Sequence, residues 1–122
     1  MARNFIIVEP DPIVCLDVEG MLVAQYPGAQ VVAGASFKGI GAAIDNSGPD
    51  STLFVKGALV TASDDLRRVL QAAATRGSRI VIIGESKAVN FPAIFLELPF
   101  TTDIVIAVVD RDVPTGESDL VP

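Results

Sequence analysis

Apolar residues fall along this chain in two alternating arrangements: short, mostly apolar blocks, and longer stretches in which they recur every three or four positions. The blocks are Phe5-Ile6-Ile7-Val8, residues 29–33, Thr52-Leu53-Phe54-Val55, residues 79–84 and residues 94–98. An apolar block bounded by turn residues reads as a strand buried on both faces, as strands of a parallel sheet are. Between the blocks lie Val14, Val18, Met21 and Leu22, then Phe37, Ile40, Gly41 and Ile44, then Leu66, Val69, Leu70 and Ala73, all at helical spacing.

Punctuation agrees with the pattern. Asp11-Pro12 supplies a helix cap and a proline at the first helical position, and Tyr26-Pro27-Gly28 ends that helix. Gly20 weakens it by roughly 1 kcal/mol relative to Ala. Asn46-Ser47-Gly48-Pro49-Asp50 is a dense turn, Ser63-Asp64-Asp65 opens a helix with negative charge in its first turn, and Arg76-Gly77 closes it. Strands alternating with helices predict an α/β fold, a doubly wound five-stranded parallel sheet of the flavodoxin-like kind in three layers. Residues 104–109, Ile-Val-Ile-Ala-Val-Val, admit two readings. Their β-branched content suits a sixth strand, whereas Thr101-Thr102-Asp103 suits a helix cap, and the helix is preferred.

Length and charge narrow the function. The 122 residues make one domain, expected over 1–109, followed by a polar tail, 110–122, broken by Pro114, Gly116 and Pro122. A net charge of −6 without a basic stripe argues against a nucleic-acid partner. The chain contains no His, which excludes histidine-based zinc sets, a Ser/His/Asp triad and a phosphohistidine relay, and the single Cys15 excludes an internal disulfide. The first apolar run reaches Glu9 after four residues, too short for a signal peptide or a membrane span, so a cytoplasmic location without a membrane partner is expected.

Three segments together resemble the receiver domain of response regulators: Ile6-Ile7-Val8-Glu9-Pro10-Asp11-Pro12, then Gly48-Pro49-Asp50 before the third strand, then Leu98-Pro99-Phe100 after the fifth. The resemblance spans about Asn4 to about Val109. It implies a magnesium ion held by an acidic pair after strand one and a phosphoryl-accepting Asp at the end of strand three. It further implies a Ser or Thr after strand four and a Lys before a Pro after strand five. Clustered carboxylates suit a hard cation, and a Lys neutralises charge on a moving phosphoryl group. Here Glu9 keeps the first acidic place, Pro10 occupies the second, and Asp11 is displaced by one. The acceptor position falls on Val55, or on Lys56 if the strand slips by one; the hydroxyl position falls on Gly84, with Ser86 two residues on; the Lys position falls on Leu98. The chain thus reads as a degenerate pseudo-receiver with no catalytic residues, metal or cofactor. Residues 85–93 must join strands four and five in a span shorter than the roughly 10 to 12 residues a crossover with its helix needs, so the fourth helix is expected to be shortened or missing.

Other signals have plainer explanations. Glu9 and Asp11 serve either as a residual metal site or as an exposed acid and a helix cap. Lys56 is either a fixed charge replacing metal and phosphate, paired with Glu9 or Asp11, or a solvated strand-end lysine. Gly39-Ile40-Gly41 lacks the third glycine and the position of a dinucleotide fingerprint. Cys15 reads as a small core residue, and Asp64 and Asp65 as helix N-terminal charge rather than displaced phosphoacceptors. The all-round apolar segment 104–109 predicts a homodimer through strand five and Ile104, Val105 and Val108. The expected function is a stand-alone signalling domain of a two-component or related system, independent of phosphorylation, whose partner is a signalling protein or a second copy. The alternative is a small-ligand-binding or enzymatic flavodoxin-like domain, with its ligand at the carboxyl ends of the strands.

Overall fold

Buried backbone must find hydrogen-bond partners, and the apolar blocks find them in one another. The computed structural model describes residues 3–86, 88–97 and 101–110. The strands β1 (Asn4–Val8), β2 (Gln30–Gly34), β3 (Ser51–Lys56), β4 (Arg79–Ile83) and β5 (Ile94–Leu96) form one all-parallel sheet in the order β2-β1-β3-β4-β5. The helices are α1 (Pro12–Gln25), α2 (Phe37–Asp45), α3 (Gly57–Ala62), α4 (Asp64–Thr75) and α5 (Thr102–Asp110).

Strand pleating sorts the apolar blocks onto two faces. Ile6, Val8, Leu53, Val55, Ile80 and Ile82 pack with Ile40 and Ile44 of α2, Val60 of α3 and Leu66, Leu70 and Ala73 of α4. Phe5, Ile7, Phe54, Val81 and Ile83 pack on the other face with Val18 and Leu22 of α1 and Val105, Val108 and Val109 of α5. The predicted doubly wound, three-layer arrangement is the one observed, and the central strands β1, β3 and β4 are its most buried part.

Local chemistry sets the helix ends. The Asp11 carboxylate accepts from the Ile13 amide at 2.9 Å, and Pro12 follows as the first helical residue. Ser63 Oγ accepts from the Leu66 amide at 3.1 Å, with Asp64 and Asp65 in the first turn of α4. The Arg67 guanidinium donates to the carbonyls of Val60 and Thr61, closing α3 from the neighbouring helix. Arg76 donates to the Ile44 and Ser47 carbonyls, each at 2.8 Å, and ties the end of α2 to α4. Asp110, the last residue of α5, accepts from the Tyr26 hydroxyl at 2.9 Å and pairs with Arg3 at 3.3 Å.

Three expectations are revised. Helix α3 was not predicted: Gly57-Ala58-Leu59-Val60-Thr61-Ala62 shows no polar period, and it is held by packing and by Arg67 rather than by propensity. Strand β5 ends at Leu96, short of the predicted 94–98, and Leu98 lies outside the described residues. Segment 104–109 is helical as preferred, but it is not a free apolar surface. Val105 and Val108 are buried in the chain's own core, 1% and 6% exposed, so they are not dimer-contact residues, and only Ile104 among the three named is exposed. Most of the predicted tail, 111–122, also lies outside the described residues. Between β4 and β5 no helix occurs among the described residues, in line with the shortened crossover.

Candidate functional site

In a doubly wound parallel sheet the residues that leave the carboxyl ends of the strands converge on one edge. Here β1 delivers Glu9, Pro10 and Asp11, β3 delivers Lys56, and β4 delivers Gly84. Val8 pairs with Val55, and Lys56 with Ile83, so Glu9 and Lys56 are each one step past the Val8–Val55 pair. Val55 itself lies a row below, completely buried in the core.

Glu9 is only 1% exposed. Its amide donates to the Gly34 carbonyl at 3.0 Å, and its Oε2 accepts from the Asp11 amide at 2.9 Å. Its Oε1 is buried without a hydrogen-bond partner among the described residues. A buried carboxylate oxygen without a partner is costly to hold. The Asp11 carboxylate is turned away to cap α1 through the Ile13 amide. Both acids therefore serve the β1–α1 turn, each receiving a backbone N–H two residues on.

The expected ion pair between Lys56 and Glu9 or Asp11 does not form: among the described residues the ion pairs are Arg3–Asp110, Arg67–Asp64 and Arg68–Asp65. The cause is local. Lys56 occupies the N-cap position of α3, where the chain turns at once into Gly57, while both carboxylates are folded back on their own loop.

The same turn meets the segment after β4. A Cβ built on Gly57 would lie 2.1 Å from the Glu85 carbonyl oxygen and 3.1 Å from Ser86 Cβ, so only glycine fits. Gly84 has φ of +79°, and its amide donates to the Leu96 carbonyl at 2.8 Å. The position expected for a hydroxyl thus has a backbone that side chains resist. The β4–β5 segment thus packs directly against the β3–α3 turn at Gly57. Gly57 is the site residue that sequence reasoning missed; its signal was a glycine directly after a strand-ending lysine.

These residues do not fit the magnesium ion that the receiver resemblance implies. The Glu9 oxygen that could ligate is buried, the Asp11 carboxylate is turned to the α1 cap, Pro10 has no donor, and β3 ends on Lys56 rather than on a carboxylate. No group of three or more His, Cys, Asp or Glu able to hold a metal occurs among the described residues. Nor does the neighbouring thiol offer reactivity: burial foremost, then Glu19 and Glu9, pushes the Cys15 thiol up from its ordinary range, disfavouring the thiolate.

No family model matches the sequence, and no curated protein does. Solved structures do match in fold. A response regulator receiver domain protein from Bacillus halodurans superposes with a TM-score of 0.71 at 18% identity, over 90% of this chain and 96% of that one. A response regulator receiver protein from Sinorhizobium medicae gives 0.70 at 22% identity, over 88% and 91%. A chain described as adenylate cyclase from Rhodopirellula baltica gives 0.61 at 17% identity, over 89% and 88%. The fold is that of receiver domains.

Proposed function

We propose that this chain is a receiver-like signalling module of a two-component or related regulatory system that has given up phosphoryl transfer and acts by docking to protein. The observation that carries the proposal is Lys56, placed where β3 ends and level with Glu9. An aspartyl acceptor needs a carboxylate to form an acyl phosphate; an ammonium forms none and repels a divalent cation. Pro10, Gly84 and the closed Gly57–Glu85 contact support the same reading. Its partner is a signalling protein or a second copy of the chain, encountered in the cytoplasm, and the module turns over no substrate.

Intact-mass measurement after incubation with acetyl phosphate and magnesium tests the proposal. The expected result is an unchanged mass. A species heavier by one phosphoryl group, removed by hydroxylamine as an acyl phosphate is, would overturn it.

A further inference from the structure

The sheet is covered unevenly. Val8, Val55, Ile82 and Phe95 are successive cross-strand neighbours in a single row. The first three have no exposed area, whereas Phe95 is 47% exposed. Ile94 and Leu96 face the α1 and α5 side, so Phe95 faces the side of α2, α3 and α4. There the helices cover β1, β3 and β4, and Val89, Phe91 and Ala93 cover the approach to β5. Beyond them the face is open, because residues 84–93 contain no helix among the described residues. What remains is a groove of about 670 Å³ lined by Gly84, Glu85, Ser86, Phe95 and Glu97.

We infer that this groove binds an amphipathic, basic helix of a partner protein, which packs where the missing crossover helix would lie. This inference rests on the docking-module reading and specifies its surface. A helix is the element that covers β1, β3 and β4 on this face, and Phe95 offers an incoming helix one aromatic anchor. The charged groups of the described lining are the carboxylates of Glu85 and Glu97, both exposed, which select Lys or Arg beside the apolar stripe of the incoming helix. A second copy of the chain is a poor donor of such cations. It carries −6, and its described arginines are already engaged: Arg3 with Asp110, Arg67 with Asp64, Arg68 with Asp65, Arg76 with the Ile44 carbonyl and Arg79 with the Val109 carbonyl. Its described lysines, Lys38 in α2 and Lys56 at the end of β3, lie on separate elements, so neither element offers the basic face of an amphipathic helix. The groove also adjoins the candidate site directly, since its residue Glu85 presses its carbonyl on Gly57.

The test is an amide NMR titration of the unphosphorylated full chain with a synthetic amphipathic Leu/Lys helical peptide, and with its Leu/Glu counterpart as control. The inference expects shifts centred on Gly84, Glu85, Phe95 and Glu97 with the Leu/Lys peptide only, weakening as salt is raised. Phe95→Ala should weaken binding about tenfold or more, with the other resonances in place to show an intact fold. Glu85→Lys with Glu97→Lys should transfer preference to the Leu/Glu peptide. Shifts centred on the exposed Ile13, Leu16 and Val23 of α1 would overturn the inference. So would equal binding of both peptides, or concentration-dependent shifts in the groove without peptide, which would assign it to a second copy. Because the titration uses no phosphodonor, its failure leaves the phosphorylation result standing, and an acyl phosphate would equally leave the titration standing.

Discussion

Replacing Gly57 by Ala adds one methyl group at the point where the β3–α3 turn meets the segment after β4. The added carbon would fall 2.1 Å from the Glu85 carbonyl oxygen and 2.8 Å from its carbon, far inside van der Waals contact, and both obstacles are backbone. A flexible side chain would swing away; a backbone carbonyl moves only by shifting the Gly84–Ser86 segment. Forced insertion into a packed site costs about 1 to 3 kcal/mol, and the rigid neighbour puts this case at the upper end. Better helix propensity returns at most about 1 kcal/mol. The net loss is therefore about 2 kcal/mol, or a fall in Tm of roughly 6 to 10 °C. Gly20→Ala is the control, since a Cβ there meets nothing within 4 Å in the middle of α1. It should gain roughly 0.5 to 1 kcal/mol. Both are read by urea unfolding followed by circular dichroism. A Gly57→Ala variant as stable as the parent, or a Gly20→Ala variant equally destabilised, would refute the close approach and with it the closed site.

Val105→Glu and Val108→Glu should each unfold the chain, at a cost of about 4 kcal/mol or more for a buried charge, while Ile104→Glu should cost less than about 1 kcal/mol; thermal melts that rank the three alike would deny that α5 packs inward. Lys56→Met should change stability by no more than about 0.5 kcal/mol because no ion pair is lost, whereas a loss beyond about 2 kcal/mol in urea unfolding would show that Lys56 neutralises Glu9 after all. Burial, with the hydrogen bond to Asp110, raises the single tyrosine, Tyr26, from 10.0 to about 12. Its folded pKa lies above the unfolded one, so its contribution is whole below pH 10 and fades as pH rises toward 12; ultraviolet titration should show a late phenolate, and a midpoint near 10 would refute the contact.

Most of the architecture was legible because local signals agreed with one another. The blocks at Phe5–Val8, Thr52–Val55 and 79–84 had to be strands buried on both faces, and Asp11-Pro12 and Ser63-Asp64 had to open helices. Segment 104–109 was ambiguous because β-branched residues favour strands, while what decides is which of them the core can take: Val105, Val108 and Val109 do fall on one helical face. Helix α3 was invisible because a guanidinium from α4 closes it. At the site, sequence alone placed Glu9, Asp11, Lys56 and Gly84 near one edge, but not their pairing. Whether Lys56 meets Glu9 depends on turns that fold both carboxylates onto local amides, and whether Gly57 is required depends on a carbonyl twenty-eight residues away. The exposure of Phe95 is equally non-local, since it follows from the lack of a helix among the described residues between β4 and β5.

The central claim is that the carboxyl edge of this sheet no longer takes magnesium or phosphoryl groups. It is tested most directly by amide NMR spectra of the full chain with and without magnesium and acetyl phosphate. The resonances of Val8, Glu9, Asp11, Lys56, Gly57 and Gly84 are expected to stay in place under both additions. Saturable shifts centred on Glu9 and Lys56 with magnesium alone, or a second set of resonances there after acetyl phosphate, would contradict it.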